Sequence, residues 1–115
     1  MKKNKCKENI SRLEHIKKAI ELIEKYVSNQ TGKSFCVSNI VHDAVLFQFT
    51  VIGEAINHVD EAILDKYDYS WHKVRAFRNL IAHEYFNIKL NAVWYIIEKD
   101  LPELKAVIDK MIYDK

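Results

Sequence analysis

Apolar residues recur every three or four positions along most of this chain, which is the spacing of helices that each bury one face. Between residues 10 and 27 one apolar stripe predicts a surface helix with a single buried side. That stripe consists of Ile10, Leu13, Ile16, Ile20, Ile23 and Val27. The polar stretch 28–34 that follows contains Gly32 and predicts a loop.

The next predicted helix is long and apolar on two faces. It begins at Ser38 or Asn39, either of which could cap it, and runs to about Leu64. One stripe holds Val45, Phe49, Ile52, Ile56, Val59 and Ile63, and the other holds Ile40, Ala44, Phe47, Val51, Ala55 and Ala62. An exposed helix would not carry two such faces, so we expect this one at the centre of the bundle and at the centre of a dimer.

Gly53 lies in the middle of this long helix. A glycine there costs about 1 kcal/mol relative to alanine, so its presence indicates that another segment approaches closely. The remaining polar positions form a narrow strip along the helix, made of Asp43, Thr50, Glu54, Asn57 and Glu61.

Two more helical segments complete the predicted fold. The window 71–86 contains neither Gly nor Pro, has Ser70 as a candidate N-cap and is expected to end at Asn87. Its apolar positions are Trp71, Val74, Phe77 and Ile81. A short stripe over 90–101 precedes a last helix, which Asp100 and Pro102 are expected to start. The whole pattern predicts one all-α domain, residues 1–115, folded as a four- to five-helix up-and-down bundle.

Composition narrows the class of protein. The 115 residues are 49% hydrophobic and 30% charged, with two glycines and one proline, which favours a single folded helical domain. A formal net charge of +2 excludes a strongly basic, nonspecific nucleic-acid binder, so any RNA contact must be local. Cys6 and Cys36 lack C-x-x-C spacing and predict reduced thiols.

The expected location is the cytoplasm, without contact to a membrane. The basic segment 1–15 lacks the apolar region of a signal peptide. The most apolar window, 44–56, contains Gln48, Thr50 and Glu54 and is shorter than the roughly 18 clean residues of a membrane span. The sequence has no H-E-x-x-H motif and no carboxylate cluster around His42 or His58, so neither a metal nor another cofactor is predicted.

Candidate chemistry concentrates in the window 71–86. On a helical wheel Arg78 lies at the edge of the apolar stripe, where it either forms an ion pair with a neighbouring helix or binds a phosphate. Asn79 and His83 share a second face, about 100° to 140° away. One straight helix does not easily aim Arg78 and His83 at the same atom. Either the helix ends near Ala82 or a second copy of the chain completes the site.

The segment from Arg78 to Tyr85, RNLIAHEY, resembles the R-x4-H-x-Y signature of the HEPN superfamily, and in particular its HepT-like branch. The likeness extends to the segment 51–55, to Trp71 and Phe86 at the ends of the motif helix, and to the segment 100–104. This resemblance implies a metal-independent endoribonuclease, the toxin half of a HepT/MntA toxin–antitoxin pair. Its substrate would be RNA.

The resemblance also implies roles for individual residues. Metal-free RNA cleavage needs a base for the ribose 2′-hydroxyl, an acid for the leaving oxygen and a cation for the phosphorane charge. Imidazole groups ordinarily titrate near pH 6.5, so His83 suits the base or acid role, Arg78 the cation and Asn79 an orienting role. One chain carries one such histidine, which favours a homodimer with a shared site. Tyr85 would receive AMP from an MntA-like nucleotidyltransferase antitoxin.

Alternatives remain open at this stage. Glu54 is either the internal partner of Arg78 or a solvated carboxylate. Arg78 and His83 could be structural, as an interhelix ion pair and a residue favourable to the helix dipole. The whole chain could instead be a non-catalytic helical module that binds a nucleotide or a nucleotidyltransferase.

Overall fold

The computed structural model describes residues 2–114, with side chains from residue 7 onward. Its helices are α1 (Lys2–Val27), α2 (Gly32–Val37), α3 (Asn39–Ile56), α4 (Glu61–Leu64), α5 (Trp71–His83), a 3-10 turn (Tyr85–Asn87), α6 (Leu90–Tyr95), a π-helical turn (Ile96–Asp100) and α7 (Leu101–Tyr113). No strand occurs within this described range. The predicted all-α class is confirmed.

The long helices pack side by side in the order α5, α3, α1, α7. Neighbours run in opposite directions: Asn9 near the start of α1 contacts Asp60 beyond the end of α3, and Lys17 of α1 pairs with Asp109 of α7 at 3.1 Å. Most of the fully buried side chains come from α1, α3 and α7, among them Ile16, Ile20, Ile23, Ile52, Ile56 and Ile108. The sequence placed the long second helix at the centre, and α3 does lie between α1 and α5.

That helix is shorter than predicted, because α3 ends at Ile56 and a turn over 57–60 separates it from α4. Val59 in the turn is still buried, so the apolar repeat continues although the helix does not. Asn9 fixes the turn by donating to Asp60 Oδ2 at 3.2 Å and accepting from the Asp60 N–H at 3.0 Å. This contact spans 51 residues, and the local pattern does not contain it.

The predicted loop over 28–34 contains the beginning of α2. Thr31 and Ser34 form a reciprocal capping box, in which the Ser34 N–H donates to Thr31 Oγ1 at 3.1 Å and the Thr31 N–H donates to Ser34 Oγ at 2.8 Å. Phe35 in this short helix is fully buried. The loop prediction was therefore wrong from residue 32 onward.

The last two predicted helices form one continuous helical run from Leu90 to Tyr113. Asp100 keeps helical dihedral angles and makes no side-chain cap, so the predicted start of a new helix there was wrong. Instead, the Leu101 N–H bonds to Ile96 O in a widened π turn directly before Pro102, which has no N–H to donate. The wider turn accommodates the proline without ending the helix.

Two smaller predictions have separate outcomes. Ser38 caps α3 by accepting from the Val41 N–H at 3.4 Å, whereas Ser70 precedes α5 without a side-chain cap. Cys36 is a free thiol that contacts Asn91 Oδ1 at 3.1 Å, and the Cys6 side chain lies outside the described residues.

None of the helices within residues 2–114 has the length and apolar character needed to cross a bilayer.

Candidate active site

The motif helix α5 meets α3 at Gly53. A Cβ atom at this position would overlap Arg78 Cβ and lie 2.6 Å from Arg78 Cγ, with the Val74 carbonyl oxygen at 3.6 Å. Only glycine leaves room for this approach. The close contact predicted at Gly53 is confirmed, and it places the base of the Arg78 side chain directly on α3.

Arg78 reaches from this crossing along the surface of α3. Its Nη2 forms an ion pair with Glu54 Oε1, and its Nη1 donates to Asn79 Oδ1 at 3.3 Å. The sequence left two alternatives for Glu54, and the structure has it paired with Arg78. The guanidinium carries five N–H donors, and two bonds leave three of them uncommitted. One of these is Nε, which is buried and has no hydrogen-bond partner.

Helix α5 ends at His83, which agrees with one of the two alternatives drawn from the helical wheel. The Glu84 N–H closes the helix on Leu80 O at 2.7 Å, and the chain then enters the 3-10 turn that carries Tyr85. The expected end at Asn87 was therefore late by one short turn. Because the path changes after His83, the positions of Tyr85 and Phe86 no longer follow the wheel of α5.

Tyr85 is directed back to α3, where its hydroxyl donates to Asp43 Oδ1. The Tyr85 side chain is 41% exposed. Its ring packs edge-on against the ring of Phe86, with 5.6 Å between the two ring centroids. The hydrogen bond to Asp43 raises the pKa of the Tyr85 phenol above its ordinary value, and burial and the Asp43 charge add to the shift. The phenol is therefore neutral near pH 7.

His83 is exposed at the end of α5 and has no hydrogen bond or ion pair to any residue that the structure describes. Of the predicted site residues, the fold joins Glu54, Arg78 and Asn79 in one group and holds Tyr85 separately through Asp43. It does not bring His83 into contact with Arg78 within a single chain. The imidazole is free to contact a substrate or a second copy.

The sequence did not single out Asp43, although it is the partner of Tyr85. Asp43 and Glu54 are eleven residues apart on α3, which is about three helical turns and puts both carboxylates on one face. That shared face was visible in the sequence as a polar strip. Asp43 pairs with Tyr85, and Glu54 pairs with Arg78, because α5 packs antiparallel to α3. Local periodicity does not specify this packing.

His42 lies beside Asp43 and also contacts Asn39. His42 Nδ1 lies 3.3 Å from Asp43 Oδ1, within ion-pair distance but without hydrogen-bond geometry, and His42 Nε2 lies 3.1 Å from Asn39 Oδ1. The His42 side chain is only 12% exposed. Asp43 Oδ1 therefore faces both an imidazole nitrogen and the Tyr85 hydroxyl.

The same side of α3 also exposes large apolar side chains. Ile40 is 85% exposed and Phe47 63% exposed, and both alternate with the acidic positions along the helix. In the segment 78–86, Leu80 is partly exposed and Phe86 is 97% exposed. We call these four residues, Ile40, Phe47, Leu80 and Phe86, the exposed apolar set.

A cavity of about 400 Å³ lies elsewhere, between α3, the start of α5 and the π turn. Its lining includes Phe49, Phe77, Tyr69, Asp100 and Glu103, and none of the predicted site residues. Burial, followed by the Asp100 and Glu103 carboxylates, raises the pKa of Tyr69 to about 12. Because the cavity contains no residue of the motif, the candidate site is the surface around Arg78 and not this cavity.

Most of the chain matches a known protein family. Residues 16–111 match the family model described as ribonuclease HepT-like. A Methanocaldococcus jannaschii protein, whose name combines gamma-glutamylcyclotransferase with an inferred RNase, is 35% identical over 101 residues. The alignment covers 87% of this chain but only 46% of that longer protein.

Two other relatives are similar in length to this chain. A Thermococcus cleftensis protein, named as an inferred ribonuclease HepT, is 27% identical over 86% of this chain and 91% of its own length. A Caldanaerobacter subterraneus subsp. tengcongensis protein, named as an inferred RNase, is 25% identical over 87% of this chain and 90% of its own length. The comparison with solved structures gave no match.

Proposed function

Because the chain belongs to the ribonuclease HepT-like family, we propose that it is an endoribonuclease that cleaves RNA without a metal ion, at a site shared by two copies of the chain. The main support for this proposal is the way in which the Arg78 side chain is held. Its side chain is anchored against Gly53 and Glu54, yet two N–H donors, one on Nη1 and one on Nη2, remain uncommitted. A guanidinium held in this way is suited to a phosphate group.

Glu54 orients the guanidinium without consuming its binding capacity. The ion pair is partly exposed, and such pairs contribute about 0–1 kcal/mol, so an RNA phosphate can compete with or join the carboxylate. Nε is buried, so the phosphate would be bound by the N–H groups of Nη1 and Nη2 that Asn79 and Glu54 leave free. We assign Arg78 to the scissile phosphate, Glu54 to its orientation and Asn79 to a supporting contact.

His83 supplies the proton transfers. Acting as a base, it takes the proton of the ribose 2′-hydroxyl while the 2′-oxygen attacks phosphorus and the bond to the 5′-oxygen breaks. Arg78 stabilises the negative charge of the phosphorane. The leaving 5′-oxygen takes a proton from an acid, and the products carry a 2′,3′-cyclic phosphate and a 5′-hydroxyl.

A second copy provides the acid, because each chain offers one motif histidine. His83 is exposed and uncommitted in the single chain, which leaves it available to a site across a twofold axis. The exposed apolar set supports such an interface, since large apolar side chains are enriched at the centres of interfaces. The homodimer is thus part of the proposal for the active site.

The proposed biological role is the toxin of a type VII-like toxin–antitoxin pair acting on RNA in the cytoplasm. A partner nucleotidyltransferase, similar to MntA, would transfer AMP from ATP to Tyr85 and silence the enzyme. The Tyr85 hydroxyl contacts Asp43, which lies about three turns along the same face of α3 as Glu54, the partner of Arg78. A bulky anionic group on this face would hinder RNA binding there and repel RNA phosphate.

One observation favours a second candidate, a non-catalytic module that binds a nucleotidyltransferase. Within one chain Arg78 is paired with Glu54 and does not contact His83, as expected of an arginine with a structural role. The two candidates differ in RNA cleavage. A binding module would not cleave RNA, whatever its oligomeric state.

Matched substitutions on α5 test the proposal. Arg78→Ala and His83→Ala should each reduce RNA cleavage by at least 10²-fold. Arg75→Ala and His72→Ala serve as controls on the same helix. Arg75 pairs with Glu61 of α4, and His72 is exposed near the start of α5. Equal effects of Arg75→Ala and Arg78→Ala would contradict the assignment of the site.

A further inference from the structure

Tyr85 and Asp43 form a contact that RNA cleavage does not require. The Tyr85 hydroxyl donates to Asp43 Oδ1, and both side chains are at the surface. An exposed hydrogen bond of this kind contributes little to the stability of the fold. Its importance lies in its position, because Asp43 contacts the tyrosine oxygen that would be modified.

Transfer of AMP to a tyrosine requires removal of the phenol proton. The Asp43 hydrogen bond raises the pKa of Tyr85 above its ordinary value, so the phenol is neutral at neutral pH. A base must therefore take the proton during the attack. A base has to lie within hydrogen-bond reach of the proton that it accepts.

We propose that Asp43 is the general base for the modification of Tyr85, so that the modified chain supplies a catalytic residue of its own modification. This inference rests on the proposed function, namely AMP transfer to Tyr85. In the step, the Tyr85 Oη–H proton moves to the Asp43 carboxylate while Oη forms a bond to the α-phosphorus of ATP. The bond from that phosphorus to the bridging oxygen breaks, and pyrophosphate leaves. Asp43 then returns its proton to water.

His42 and Asn39 act as positioning residues in this scheme. The His42 ring lies with Nδ1 3.3 Å from the same Asp43 oxygen and with Nε2 3.1 Å from Asn39 Oδ1. Its side chain is largely buried, so its place beside Asp43 is fixed by packing. The carboxylate already accepts from the Tyr85 hydroxyl before any partner binds.

The chain contains a matched pair for comparison. The Tyr67 hydroxyl donates to Asp114 Oδ2 at 2.8 Å, and its pKa is also raised, by burial and by that hydrogen bond. Tyr67 lies outside the motif and is not predicted to be modified. Within the part of the chain that the structure describes, a tyrosine is hydrogen-bonded to a carboxylate at two places, and only the one at Asp43 is expected to support AMP transfer.

The test measures AMP incorporation from ATP and Mg²⁺ by the partner nucleotidyltransferase into intact chains. Asp43→Asn keeps an acceptor for the Tyr85 hydroxyl but cannot take its proton, so kcat should fall by about 10²- to 10⁴-fold while KM for the chain is unchanged. Asp114→Asn should be modified at the wild-type rate. Added formate should restore part of the rate in Asp43→Ala, because a small carboxylate can occupy the vacated place.

Each other outcome has a definite meaning. Modification of Asp43→Asn at the wild-type rate would overturn the proposal and place the base on the transferase. A loss of kcat in Asp43→Ala that formate does not rescue would also overturn it, and would leave Asp43 as a residue that only holds Tyr85. Absence of AMP on Tyr85 of the wild-type chain would refute the proposed regulation itself. Unchanged thermal melting of the variants would exclude misfolding.

Discussion

Gly53→Ala should loosen the crossing of α3 and α5, even though alanine is the better helix former. The new Cβ would overlap Arg78 Cβ, an atom that the α5 backbone fixes and that no rotamer change can move. Overpacking of this kind costs about 1–3 kcal/mol. Helix propensity returns about 1 kcal/mol, so the net loss of unfolding free energy should be up to about 2 kcal/mol.

A second substitution makes the sign of the effect diagnostic. In an Arg78→Gly background the obstructing Cβ and Cγ are absent, and Gly53→Ala should then stabilise the protein by up to about 1 kcal/mol through helix propensity. Urea denaturation followed by circular dichroism at one fixed protein concentration measures all four proteins of this cycle. If Gly53→Ala stabilises the wild-type chain, or if its effect is the same in both backgrounds, the close approach is not what selects glycine.

The other predictions concern the turn at Asn9, the Tyr69 phenol and the dimer. Asn9→Ala removes both hydrogen bonds to Asp60 and should lower the unfolding free energy by about 1–3 kcal/mol in urea; a change below about 0.5 kcal/mol would contradict the role of Asn9 in the turn. The pKa of Tyr69 is raised to about 12 from 10.0, so the folded state binds its proton more tightly, and unfolding free energy should fall as pH rises from about 10 to 12. Tyr69→Phe should remove that part of the fall, and an unchanged pH profile would argue against it. Phe47→Asp should convert a dimer into a monomer by light scattering, whereas Tyr95→Asp, at a similarly exposed position, should not; a monomeric wild-type chain at micromolar concentration would refute the shared site.

The sequence contained the information that depends on local spacing. The stripes of α1, α3 and α5 predicted their helices, and Gly53 predicted a close contact without naming its partner. The features that were missed depend on contacts between distant residues. Asn9 ends α3 from 51 residues away, and Asp43 meets Tyr85 only because α5 runs antiparallel to α3.

Two helix boundaries were missed for more local reasons. The capping box of Thr31 and Ser34 can start a helix inside a polar stretch, where composition alone favours a loop. At Pro102 the π turn satisfies the Leu101 N–H and lets the helix continue, although Asp100 and the proline together are typical of a helix start.

The most direct test of the central proposal is the chemistry of the RNA ends. Purified chain, incubated with end-labelled RNA in excess EDTA, should produce fragments that carry a 2′,3′-cyclic phosphate by mass spectrometry, because the attack uses the ribose hydroxyl and no metal ion. His72→Ala should give the same products, and His83→Ala should give none. Loss of wild-type cleavage on chelation, or retained cleavage by His83→Ala, would contradict the proposed mechanism.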